Sequence, residues 1–206
     1  MDFKKILISC LSSFLIVINR FIGLIFNPYK TMRKISVEKD YYQPAFIIGI
    51  IFIYFKFIYY LRDKIYPATL IYFLFIINVF LTVIFFYLLS KLFSKNKKEI
   101  YFSSFIFTFS YSLLPTIIWF LSTSILFIFL PPPRTFSILG KGFSIFFVAY
   151  SLSLLIWKLI LGYLAIRFSS KQNFFKILFM IVLYLIWFIP YSIILYQLKL
   201  FRIPFI

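Results

Sequence analysis

Five nearly unbroken apolar runs dominate the chain, at residues 44–61, 67–90, 100–130, 143–166 and 174–198. A helix rising 1.5 Å per residue needs roughly 20 such residues to cross about 30 Å of hydrocarbon, and each run meets that requirement. The runs are continuous rather than alternating, and in lipid every segment must satisfy its own backbone groups, so helices are predicted and a barrel is not. The connectors are short: a tight link at 62–66, a basic loop at 91–99, a stretch with three prolines and two glycines at 131–142, and a polar link at 167–173. No period of 20–50 residues repeats. The predicted architecture is an all-α, polytopic transmembrane bundle of five spans over residues 44–198. An N-terminal segment, 1–43, precedes it, and a short tail, 199–206, follows.

Residues 6–26 are almost long enough to make a sixth span. At 100° per residue Lys5, Ser9, Ser12, Ser13, Asn19, Arg20, Gly23 and Asn27 fall within about 120° of one another, with Ile16 the apolar exception. That polar arc favours a helix lying in the membrane interface; a true span is the alternative. A cleaved signal peptide fits less well, because only three apolar residues precede the serine of the Leu7-Ile8-Ser9-Cys10 box. Cys10 itself reads as a small buried thiol.

Composition confirms the solvent. Of 206 residues 64% are apolar and only 13% charged, about half the complement that clothes a water-soluble domain. The chain has no histidine, one cysteine and five carboxylates, Asp2, Glu38, Asp40, Asp63 and Glu99, none within a long apolar run. Serine–histidine and cysteine–histidine catalysis, histidine or cysteine-rich metal sites and intrachain disulfides are therefore excluded. An acidic proton relay across the bilayer has no carboxylate to carry it. No catalytic residue, metal ligand or cofactor is expected.

The net charge of +17 is spread over loops. With five spans, 14 of the 22 basic residues fall on one side and 6 on the other, with Lys56 and Lys158 inside spans. Positive loops stay cytoplasmic, so the N-terminus is placed in the cytosol and the C-terminus outside or in a lumen. The expected partners are the bilayer, anionic lipid and a second membrane protein or another copy of the chain. Nucleic acid is not among them, because the cations gather on no single soluble face.

Several residues inside the runs invite a role. Pro115 withdraws a donor from the carbonyl of Tyr111, so the third span should kink there. Ser104, Thr108, Ser112 and Thr116 recur every fourth residue along it. They read either as hydroxyls bonding their own backbone and letting helices approach, or as a polar seam. In the fourth span Ser144, Ser151, Lys158 and Ala165 repeat at seven residues, with Gly162 one turn after the lysine. Lys158 lies about 12 Å from the end of its span and Tyr111 about 13.5 Å from Phe102 on the same side, so their depths match. The Lys158 ammonium is expected either to donate to the carbonyl freed at Tyr111 or to nearby hydroxyls, or to snorkel toward headgroups. Lys56 is expected to snorkel, Asn78 to make an interhelical bond, and Pro190 to bend the last span. Tyr59, Tyr60, Tyr66 and Tyr101 read as interfacial anchors.

Three patches carry a resemblance. The order of amphipathic helix, Asn27-Pro28-Tyr29-Lys30-Thr31-Met32 and five spans is similar to the Yip-type family of small integral membrane proteins. Asp40-Tyr41-Tyr42-Gln43-Pro44 resembles the Asp-Leu-Tyr-Gly-Pro element of its eukaryotic members. Ser110, Tyr111, Leu113, Leu114 and Pro115 resemble their Gly-Tyr-x-Leu-Leu-Pro element, with serine for glycine. Asp40, Tyr42 and Pro44 are thereby the family-like motif residues. The likeness runs over about residues 20–198 and implies a five-span protein with a cytosolic N-terminus. In eukaryotic members it also implies Rab GTPase binding and traffic between endoplasmic reticulum and Golgi. Only about 43 residues precede the first span here, fewer than in those members, which places the chain nearer the compact prokaryotic relatives. The resulting expectation is a non-enzymatic membrane protein that organises partners or lipid. The alternative is a small-solute transporter or channel subunit with a polar seam around Lys158 and Tyr111.

Overall fold

A computed structural model describes residues 3–58, 65–94, 100–129 and 138–198. Among them there is no strand. The helices are α1 (Phe3–Phe26), α2 (Pro28–Ile35), α3 (Tyr42–Phe57), α4 (Ile65–Phe93), α5 (Phe102–Ser112), α6 (Leu114–Phe129), α7 (Ile138–Ser170) and α8 (Phe174–Gln197). Tyr59, Tyr60, the tail 199–206 and most of the connectors at 62–66, 91–99 and 131–142 lie outside the described residues.

Five helical stretches, the third made of α5 and α6 together, are long and apolar enough to cross a membrane, the expected number, but their membership differs from the expectation. Ile8–Phe26 joins Tyr66–Phe93, Phe102–Leu126, Gly140–Ser170 and Phe174–Gln197. The expected first span, residues 44–61, contracts to the 16 residues of α3, about 24 Å. The apolar run continues past Phe57, yet the backbone leaves the helix at Ile58, whose φ of −63° and ψ of 129° are extended.

The third span is the hub. Of its apolar window 78% is buried, against 11% for those of α7 and α8. It breaks at Leu113, as Pro115 predicts: α5 ends at Ser112, the Leu113 amide turns back to the Ser110 carbonyl at 3.2 Å, and α6 begins at Leu114. Where α6 meets α3 and α4, Phe120 stacks on Tyr54 at 4.9 Å and meets Phe55 edge-on at 5.5 Å, with Phe75 at 6.2 Å.

Antiparallel to this hub, α7 is held by Trp119 Nε1 donating to Ser151 Oγ at 3.2 Å, by Tyr150 donating to Ser122 at 2.9 Å and by contacts of Ser169 near its end. The chain reverses into α8 through three residues, with Lys171 at φ 54°, the left-handed turn that ends many helices. Pro190 lies inside α8, which continues to Gln197.

Helix α2 starts where sequence chemistry says it should, with Pro28 at its first turn after Asn27. Thr31, Met32 and Ile35 face inward, while Lys30, Arg33 and Lys34 are exposed. Its entry is tight: a Cβ on Gly23 would stand 2.7 Å from Thr31 Oγ1, so glycine is what lets α1 and α2 approach.

The polar arc of α1 is divided between protein and surroundings. Ser13, Val17 and Leu24 are buried and Arg20 is half-buried, a stripe at i, i+4, i+7 and i+11. Ser9, Ser12 and Asn19 are exposed, as are Ile8, Leu11, Leu15 and Ile22. Arg20 pairs with Glu38 at 3.3 Å, and Ser13 donates to Asp40. One edge of the arc thus clasps the loop before α3.

Candidate functional site

The two motif patches, 66 residues or more apart in sequence, meet in space. The Tyr111 hydroxyl donates to Gln43 Oε1 at 2.7 Å, and both side chains are completely buried. Gln43 Nε2 in turn donates to Asp40 Oδ2 at 3.3 Å, Ser13 donates to the same oxygen, and the Tyr42 amide donates to Asp40 Oδ1 at 3.1 Å. Asp40 therefore acts as a helix-start acceptor for α3 and as the anchor joining α1, α3 and α5. Gln43 stands where the eukaryotic element has glycine, and its amide supplies both the acceptor for Tyr111 and the donor for Asp40. Pro44 is buried in the first turn of α3, where its missing N–H matters least, while the Tyr42 ring is exposed. Tyr111 is further packed edge-on against Phe21 of α1 at 5.6 Å.

A second constellation lies across the hub. Asn78, Ser112, Lys158 and Gly162 line one cavity of about 330 Å³ between α4, α5, α7 and α8, with Thr82 and Tyr184 beside them and an otherwise apolar wall. The cavity abuts the break that Pro115 imposes. Asn78 makes the expected interhelical bond, accepting from Tyr191 at 2.7 Å. Thr82 gives its hydrogen to the Asn78 backbone carbonyl at 2.8 Å, so Tyr184, 2.9 Å away, donates to Thr82.

The Tyr111 side chain turns to α3, drawn by the buried Gln43 acceptor, whereas Lys158 lines the cavity together with the Ser112 hydroxyl. Ser112 is the member of the hydroxyl row that reaches Lys158's cavity. The row itself is buried, and three of its four hydroxyls are bonded. Thr108 donates to the Ser104 carbonyl at 2.9 Å and Ser112 to the Phe109 carbonyl at 2.8 Å. Ser104 and Thr108 also reach Ser169 of α7, at 3.2 and 2.8 Å. Thr116 Oγ1 is buried with no partner among the described residues. Lys56, expected to snorkel, instead donates to Thr69 of α4 at 2.9 Å and sits over the Phe52 ring, because α4 offers a hydroxyl within reach of its stem.

Sequence reasoning missed Gln43, Ser13 and Ser169 as structural partners. A glutamine beside a proline at the mouth of an apolar run is a signal for the first; the two serines carry none.

Bundle, apolar surface and buried polar junctions define a multi-pass integral membrane protein. The model of the Yip1 domain family matches residues 22–196, most of the chain. The chain belongs to the Yip1 domain family. No curated protein and no solved structure matches it.

Proposed function

We propose that this Yip1-domain protein is a non-enzymatic organiser of membrane partners or lipid, with α1 lying in the membrane interface, so that the N-terminus and the exposed face of α2 are both cytosolic. One observation carries the reading: three of the four hydroxyls in the third span's row, Ser104, Thr108 and Ser112, are buried and bonded to the helix backbone or to Ser169. Lys30, Arg33, Lys34 and Lys39 are exposed and suit anionic headgroups.

In a Cys10→Ser background, single cysteines at 104, 108, 112 and 116 are expected to resist a membrane-impermeant maleimide applied from either side. Labelling at all four positions from both sides would instead establish a conducting path and sink the organiser reading. Replacing Lys30, Arg33 and Lys34 by glutamine is expected to lower the phosphatidylglycerol retained through purification in mild detergent, since each cation near an anionic surface contributes about 1 kcal/mol. Unchanged retention would remove anionic lipid from the proposal.

A further inference from the structure

We infer that the cavity between α4, α5, α7 and α8 is a binding site for a single-tailed acidic amphiphile of the long-chain fatty acid class, its carboxylate held by Lys158 and Asn78. The inference goes beyond the organiser reading and uses none of the residues on the basic face.

The route in is set by the rim. Leu159 of α7 and Leu185 of α8 both line the cavity, and they are 60% and 42% exposed on the outer surface of the bundle. The mouth between these helices therefore faces hydrocarbon, and an occupant must arrive dissolved in the bilayer.

The polar part of the lining selects charge. Lys158 is the one formally charged side chain among the described residues lining the cavity. An ammonium has three donors, so a contact within the protein still leaves donors for a ligand. Asn78 accepts from Tyr191 at its side-chain oxygen, and its Nδ2 carries the hydrogens it can donate to a ligand. Both groups thus call for an acceptor, and a cation at membrane depth gains most from one that is negatively charged.

Size limits the rest. About 330 Å³ is at the small end of ligand cavities, which suits one hydrocarbon tail rather than the two of a phospholipid. Gly162 enlarges this space: a Cβ built there meets nothing within 4 Å.

The test uses the full chain in phosphatidylcholine nanodiscs, with radiolabelled palmitate and its uncharged counterpart hexadecanol. Saturable palmitate binding is expected, at least about tenfold tighter than that of hexadecanol. Lys158→Gln should weaken palmitate about tenfold or more while leaving hexadecanol unchanged. Gly162→Leu should abolish binding of both without lowering the melting temperature, because its side chain enters open space. Equal binding of the two ligands, or palmitate binding that survives Lys158→Gln, overturns the inference. Should Lys158→Gln fail to fold, Gly162→Leu decides, and undiminished palmitate binding by that variant is equally fatal.

Discussion

Alanine in place of Asp40 is expected to destabilise the protein by about 1.5–3 kcal/mol, the range for losing hydrogen bonds to a charged group. Its carboxylate accepts from Ser13, from the Tyr42 amide and from Gln43, and Gln43 holds the Tyr111 hydroxyl. Removing the acceptor leaves the Tyr42 amide and Gln43 Nε2 of α3 without it, turns Ser13 back to the Ser9 carbonyl 2.9 Å away so that α1 is released, and loosens α5 through Gln43. Ser13→Ala, which deletes one of those donors together with its need for a partner, should cost much less. Thermal melts in detergent distinguish the two; an Asp40→Ala melt within error of the parent would show that the junction of the motif patches contributes nothing to the fold.

Phe120→Ala is expected to be at least as damaging, at about 2–3 kcal/mol. The benchmark for a buried Phe→Ala change is about 3–5 kcal/mol. Part of that figure is transfer out of water, which lipid does not supply, so the expected cost is the remaining loss of packing around the cavity left behind. Phe120 is 1% exposed and sits among Tyr54, Phe55 and Phe75. Phe146 or Phe175, whose rings face outward, should tolerate alanine within about 0.5 kcal/mol. Reversible unfolding in mixed micelles reads both; comparable losses at Phe120 and Phe175 would mean that α6 is not packed as described.

Hydropathy made much of this fold legible. The long helices follow from run length alone, and the break at Leu113 follows from the proline two residues on. Asn78 was readable because an amide in hydrocarbon seeks a partner on a neighbouring helix, and Tyr191 is that partner. What stayed hidden depends on which helices are neighbours, information that periodicity does not contain. The arc on α1 has the same angular spread whether it faces headgroups or a carboxylate, so Ser13 and Arg20 could not be assigned to Asp40 and Glu38 in advance. Lys56 has a stem long enough for either an interface or Thr69. Tyr111 and Lys158 match in depth along their helices, but depth says nothing of azimuth: the Tyr111 hydroxyl turns to Gln43, outside the cavity that Lys158 lines. The end of α3 was invisible for another reason: residues beyond Phe57 remain apolar, and hydropathy is blind to a change in ψ.

The brevity of α3 reaches beyond the protein itself. Its roughly 24 Å stands in one bundle with α7, whose 33 residues extend about 50 Å. Lipids around such a particle meet walls of unequal height, so they must compress beside the low wall or the tall helix must lean. The resulting rim of deformed bilayer would be shared, at lower elastic cost, by any neighbour with a similarly short flank. Unequal wall height would thereby favour some neighbours over others within the membrane plane without direct contact.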